Sequence, residues 1–108
     1  MVSNTPATAQ FHQAVQQYAP SLRLTGAATI AWASGQMLAR AATAHIGVQP
    51  ASQDILAGLW TMRNETLDGL APPLTYVKGQ AAPTVPCYFL LELKGGRFTS
   101  PSGSAYTC

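Results

Sequence analysis

The fold is decided by a stretch near the C-terminus, Cys87-Tyr88-Phe89-Leu90-Leu91-Glu92-Leu93-Lys94-Gly95-Gly96-Arg97-Phe98. From residue 87 to residue 94 successive side chains face opposite ways, and Cys87, Phe89, Leu91 and Leu93 share one face of a predicted strand. The Gly95-Gly96 pair is typical of a two-residue turn between antiparallel strands. Residues 97–99 are the predicted return strand, and residues 100–108 a polar tail.

A second β-rich segment precedes this hairpin, Gly69-Leu70-Ala71-Pro72-Pro73-Leu74-Thr75-Tyr76-Val77-Lys78-Gly79. Residues 74–77 are rich in strand-forming side chains, and proline and glycine bound them on either side. A short strand is therefore predicted at residues 74–77, followed by a proline-containing loop at residues 80–86.

The first half of the chain has the pattern of helices. Residues 1–4 are expected to be a frayed end. Thr5 followed by Pro6 is a helix start signal, and Pro20 is a stop signal. The first helix is therefore predicted between Thr5 and Pro20.

Two further helices follow. The second is predicted over residues 27–46, with Gly47 as its C-cap. The third begins at Pro50 or Ser52 and continues to about Met62. We therefore expect a partial α/β fold, in which three helices are followed by a short strand and a β-hairpin.

The length of the chain indicates a single domain at most, and its composition is low in charge. It has 108 residues, of which 47% are hydrophobic and only 9% are charged, where about 25% charged is usual. Two explanations fit this low charge. Part of the surface is covered by another domain or subunit, or the chain is a small soluble protein rich in Ala, Thr, Ser and Gln.

Several function classes find no support in the sequence. The net charge is +2, and the six basic residues are scattered, which argues against a nucleic-acid partner. No apolar run is long enough to span a membrane, and no signal peptide is visible in this chain. Because no pair of groups suits acid-base or nucleophilic catalysis, we expect neither an enzyme nor a cofactor.

The two cysteines predict a disulfide. Cys87 opens the hairpin and Cys108 lies beyond its return strand, so a bridge would staple the C-terminus to the sheet, worth about 3 kcal/mol. The alternative is two buried free thiols. A metal site is not expected, because His12 and His45 lie in different helices and far from both cysteines in sequence.

One place in the sequence suits a ligand. Residues 26–29 begin the second helix, and a helix N-terminus presents backbone N–H groups to an anion such as a carboxylate. The alternative is that these residues only start the helix.

Motifs along the whole chain, in order, resemble a known family. The helices carry Phe11-x-x-Ala14-x-x-x-Tyr18-x-Pro20, then Ala31-Trp32-Ala33-Ser34-Gly35-Gln36-Met37-Leu38-Ala39-Arg40-Ala41, then a start near Pro50. They are followed by Glu65-Thr66-Leu67-Asp68-Gly69-Leu70, by Pro72-Pro73-Leu74-Thr75-Tyr76, by Gly79 and by Gly95-Gly96-Arg97-Phe98. From Phe11 to Cys108 the chain resembles the C-terminal part of type I periplasmic substrate-binding proteins of ABC transporters, the branched-chain amino acid class. The paired cysteines resemble actinobacterial forms.

The resemblance implies a two-lobed α/β protein that performs no chemistry. Such proteins are extracytoplasmic, trap an amino-acid-like solute between their lobes, and pass it to a membrane permease. It implies that residues 69–75 cross between lobes, that residues 1–108 are one incomplete unit, and that Ala27 and Ala28 lie at the cleft. Because most ligand-holding residues of the family lie outside the matching part, this segment is expected to bind solute weakly alone. The alternative is a stand-alone α+β interaction module.

Overall fold

The computed structural model describes residues 5–43 and 51–108. Within these ranges three helices precede four short strands, which form two separate antiparallel pairs, so the chain is a small mixed α/β unit, as predicted. The elements are α1 (Pro6–Tyr18), α2 (Gly26–Thr43), α3 (Ser52–Leu59), β1 (Tyr88–Phe89), β2 (Glu92–Lys94), β3 (Arg97–Thr99) and β4 (Tyr106–Thr107).

Helix α1 begins at the predicted cap. The Thr8 N–H donates to the Thr5 hydroxyl at 3.2 Å, and the Thr5 N–H donates to the Thr8 hydroxyl at 3.0 Å. These reciprocal bonds satisfy two backbone donors that a helix start leaves open. Pro6 occupies the first helical position, and the helix ends at Tyr18, just before Pro20.

Helix α2 begins one residue earlier than predicted, at Gly26, because Thr25 accepts the Ala28 N–H at 3.4 Å and acts as its cap. Its described part ends at Thr43. The predicted end near residue 46, the Gly47 cap and a frayed end at residues 1–4 lie outside the described residues.

Helix α3 ends at Leu59, so the prediction that it continues to about Met62 is wrong. After Leu59 the chain tightens, with Met62 N–H bonding to the Leu59 carbonyl at 3.0 Å. The Arg63 guanidinium then donates to the carbonyl oxygens of Trp60 at 2.8 Å, Met62 at 2.7 Å and Tyr76 at 2.7 Å. Arg63 thereby bonds carbonyl oxygens just after the end of the helix and links this segment to residue 76.

The core is small and is built where helices meet. Phe11 of α1 is only 2% exposed and packs against Trp32 of α2, with ring centroids 5.6 Å apart. Helix α2 meets α3 where the fully buried Ala41 lies against Gly58. The buried residues of the described part are Ala7, Thr8, Phe11, Ala41, Gly58, Met62 and Leu67.

The prediction of a strand at residues 74–77 is wrong. The segment makes only a single antiparallel bridge within the described ranges. Glu65 and Leu74 exchange two backbone hydrogen bonds, at 2.9 and 2.8 Å. One residue further on, the Thr75 side chain accepts the Asn64 N–H at 3.0 Å. The left-handed φ of Asn64, 51°, departs from the extended backbone that a strand needs, so the pairing does not continue past this bridge.

The hairpin turn is as predicted. Lys94 of β2 lies opposite Arg97 of β3, and Gly95 and Gly96 join them with φ values of 57° and 76°. Positive φ at both central residues defines the turn whose twist matches a hairpin, and glycine adopts it without strain.

The continuous strand predicted from residue 87 to residue 94 is instead two strands. β1 pairs with β4 rather than with β3, so the chain changes partner at Leu90 and Leu91. The predicted polar tail therefore contains a strand. Phe89 and Tyr106 face each other across β1 and β4, with an edge-to-face contact of 6.4 Å between ring centroids.

The predicted disulfide is confirmed. Cys87 and Cys108 are joined by an S–S bond of 2.11 Å, with Cα atoms 4.0 Å apart. Cys87 directly precedes β1 and Cys108 directly follows β4, so the bridge continues the pairing of these strands by one position. It fastens the end of the chain beside the start of the hairpin.

The fold leaves much apolar surface open. The accessible surface is 7459 Å², whereas a folded monomer of this size exposes about 5,800 Å². The Cα radius of gyration is 15.6 Å, against about 13 Å for a compact domain of this length. No helix within the described ranges is both long and apolar enough to cross a membrane.

Candidate functional site

A half-open cavity of about 860 Å³ lies between three parts of the chain. The first half of α2 forms one wall, residues 67–76 a second, and the C-terminal strands with their turns a third. Its principal lining residues are Thr25, Gly26, Thr29, Ile30, Ala33, Met37, Leu67, Leu70, Leu74, Tyr76, Tyr88, Phe89, Leu91 and Phe98. The volume is in the range of small-molecule sites.

The start of α2 lies at the edge of this cavity. The Thr29 hydroxyl donates to the Gly26 carbonyl at 2.8 Å, and the Ala28 N–H is taken by Thr25. The N–H groups of Gly26 and Ala27 have no protein acceptor within residues 5–43 and 51–108. Two backbone donors therefore remain available beside the cavity, at the positive end of an 18-residue helix.

The two predicted site residues lie in this first turn. Ala27 is exposed and Ala28 is half-buried. Neither side chain lines the cavity, although their neighbours Gly26 and Thr29 do. Ala27 can therefore contribute only its backbone N–H, and its role as a ligand residue stays a prediction, as does that of Ala28.

The cavity has an uncharged lining. Among the described residues, none of those that line it is Asp, Glu, Lys, Arg or His. Its polar groups are mostly hydroxyls, and the Tyr76 hydroxyl is already bonded to the Met37 thioether sulfur at 3.2 Å. Such a lining suits an apolar group and offers no side-chain charge to a charged one.

The one network of ion pairs in the described ranges lies outside this lining. Arg40 of α2 donates to the Glu65 carboxylate at 2.8 Å and also to the Asp68 carboxylate. The Glu65 oxygen also accepts the Leu67 N–H at 2.7 Å, where residues 67 and 68 have left-handed φ values of 52° and 56°. Arg40 thus holds α2 to this turn.

The charge on Arg40 is secured by these partners. Partial burial lowers the pKa of Arg40, but the charges of Glu65 and Asp68 and their hydrogen bonds outweigh burial, so that this pKa is raised. The guanidinium is bonded to two carboxylates and is a structural element. Sequence reasoning missed this cluster, since 25 and 28 residues separate the partners.

Nothing in the described part of the chain gathers three or more His, Cys, Asp or Glu side chains as a metal site would. The two cysteines are consumed by the disulfide. The cavity and the adjoining start of α2 are therefore the candidate site.

No protein-family model, curated protein or solved structure matches this chain.

Proposed function

We propose that this chain is the C-terminal segment of a type I periplasmic substrate-binding protein, serving an ABC importer for amino acids or similar small polar solutes. The order of sequence motifs from Phe11 to Cys108 supports this assignment. In this role the protein binds and delivers a solute without changing it chemically.

The observation that carries the proposal is the start of α2. The N–H groups of Gly26 and Ala27 are without protein acceptors in the described part and lie beside a large cavity. A solute carboxylate bonded to them would be stabilised by the helix dipole. The apolar lining, which includes Ile30 and Leu70, suits the hydrocarbon side chain of a branched amino acid.

The same lining leads us to expect that this chain alone binds a solute weakly. A solute ammonium group needs a carboxylate or several oxygen acceptors, and no acidic side chain within the described ranges lines the cavity. The acceptors for the ammonium group would come from another part of the full solute-binding protein. We therefore expect little affinity for leucine in the absence of that part.

Two further assignments belong to this proposal. The partners are the small solute and the membrane permease that receives it. The location is extracytoplasmic, periplasmic or at the cell surface, and a disulfide such as Cys87–Cys108 persists in such oxidising surroundings.

Backbone amide chemical shifts test the role of the α2 N-terminus. Millimolar leucine and 4-methylpentanoate, which share a carboxylate, should shift the amide signals of Gly26 and Ala27. The amine 3-methylbutylamine, which lacks a carboxylate, should not. The Gly26→Pro variant removes one N–H at the first helical position, where proline is tolerated, and should abolish the shift at Ala27, whereas Ala31→Ser on the same helix should keep the shifts. Tight leucine binding, or equal shifts with all three compounds, would refute the proposal.

A second candidate function is a stand-alone protein-interaction module. The observation that favours it is the large accessible surface, in total about 1,700 Å² above the usual value for this size, on which large apolar side chains such as Leu93 and Phe98 are exposed. Surfaces of this kind mark sites of contact with other proteins. A well-behaved dimer in solution supports this candidate, while aggregation supports an incomplete solute-binding unit.

A further inference from the structure

The hairpin made by β2 and β3 is a two-stranded sheet with both outer edges unpaired within the described ranges. All six strand residues are exposed. Leu93 and Phe98 lie opposite each other, and therefore on one face, with 63% and 64% of their surfaces exposed. A sheet of two strands with an open apolar face is a template for further pairing.

The register determines what the outer edge of β2 offers. In a hairpin with a two-residue turn, the residues flanking the turn exchange both backbone hydrogen bonds, and this pair is Lys94 and Arg97. Hydrogen-bonded and non-bonded pairs then alternate along the strands. Leu93 is in a non-bonded pair, so its N–H and C=O point away from β3 and towards any strand added at this edge.

The charges on β2 are complementary to those on a second, antiparallel copy of the same strand. When a second copy of β2 pairs antiparallel with the first about a two-fold axis at Leu93, Glu92 lies opposite Lys94 of the second copy. The symmetry produces this pair twice, and the two Leu93 residues exchange two hydrogen bonds. Opposite charges facing each other across strands are stabilising, whereas like charges are not.

The other edge lacks this complementarity. Pairing β3 with a second β3 about Phe98 places Arg97 opposite Thr99, which forms no ion pair. The β2 edge is therefore the better self-complementary surface, and a two-fold contact requires such self-complementarity.

The chain as a whole also exposes more surface than a compact monomer does. The chain exposes about 1,700 Å² more than a compact monomer of its size, and a standard interface removes about 800 Å² from each partner. A sheet ordered β3-β2-β2-β3 would bring Leu93 and Phe98 of both copies together on one face and cover part of this excess.

We infer that this chain forms a symmetric dimer through antiparallel pairing of β2 with β2 of a second copy. The contact is defined by Leu93 at the axis and by two Glu92–Lys94 pairs. This inference uses only the register, charges and exposure of the hairpin and nothing of the proposed solute. Such a dimer would favour the second candidate function, the interaction module.

Sedimentation equilibrium of the purified chain and its charge variants tests the dimer. Glu92→Lys alone and Lys94→Glu alone each place like charges opposite one another twice, and each should raise the dimer dissociation constant about tenfold. The double variant Glu92→Lys/Lys94→Glu restores opposite charges and should restore dimerisation. The control Arg23→Glu makes the same charge change as Lys94→Glu at an exposed residue outside the hairpin and should leave the dimer unchanged.

A backbone variant provides a second, independent measurement. Leu93→Pro deletes the N–H that each copy donates at the axis, while Leu93 donates no bond to β3, so dimerisation should be lost with the Cys87–Cys108 bridge retained. Monomers at every concentration, assemblies larger than two, or a dimer indifferent to both single charge reversals and to Leu93→Pro would overturn the inference. None of these outcomes bears on the carboxylate-dependent shifts at Gly26.

Discussion

A Cβ atom placed on Gly58 would lie only 1.9 Å from the carbonyl oxygen of Ala41. No real Cβ comes so close to a backbone atom, so α3 can approach α2 at this point only because residue 58 is glycine. The contact joins the two helices where Ala41 is fully buried.

Gly58→Ala should therefore destabilise the fold. We expect the free energy of unfolding to fall by about 2 kcal/mol or more, because separating the helices outweighs the roughly 1 kcal/mol that alanine adds in helix propensity. Chemical denaturation followed by circular dichroism measures the change.

Gly35→Ala is the matched control. Gly35 lies within α2, and a Cβ atom placed on it would meet no neighbouring atom within 4 Å, so alanine there should raise the free energy of unfolding by up to about 1 kcal/mol. Equal effects of the two substitutions would show that Gly58 is not a point of close helix contact.

The Arg40 cluster yields a second prediction. Arg40→Met should lower the free energy of unfolding by about 1 kcal/mol, because Glu65 and Asp68 lose their partner at a partly exposed site. Added salt should shrink the difference between the variant and the wild-type protein. Arg23→Met, at an exposed arginine with no ion pair in the described part, should change stability by less than about 0.5 kcal/mol.

The pH dependence of this contribution follows from the raised pKa of Arg40. A group whose pKa is higher in the folded state than in the unfolded state contributes stability below its unfolded pKa and loses it as the pH rises through the folded value. For an arginine this loss occurs only in strongly alkaline solution. The difference between wild type and Arg40→Met should thus stay constant from neutral to mildly alkaline pH.

The disulfide yields a third prediction. Replacing Cys87 and Cys108 by serine should lower the free energy of unfolding by about 3 kcal/mol, since the bridge closes a loop with a sequence separation of 21. Reductant should lower the melting temperature of the wild-type protein towards that of the double variant and leave the variant unaffected. Two titratable thiols in the denatured, unreduced wild type would contradict the bridge.

What could be predicted from sequence is what neighbouring residues determine. Thr5 and Pro6 start α1 through bonds three residues away, and Gly95-Gly96 closes the β2–β3 turn locally. The disulfide was also predictable, because the chain has only two cysteines and both lie near the same predicted strands.

What could not be predicted depends on distant partners. The Arg63 side chain ends α3 by bonding to residue 76, and β1 pairs with β4 in a segment whose composition is polar. In the candidate site, the N-terminus of α2 was predictable from local pattern. The uncharged cavity beside it was not, since three separate parts of the chain form its walls.

The bond between Cys87 and Cys108 makes residues 87–108 a closed covalent ring. The ring is attached to the residues before it through one peptide bond, between Pro86 and Cys87. A protease that cuts once at the exposed Gly95-Gly96 turn would release nothing, and the nicked protein would migrate as an intact chain until it is reduced. A tag fused after Cys108 would likewise emerge beside the entry to the hairpin and not from a free end.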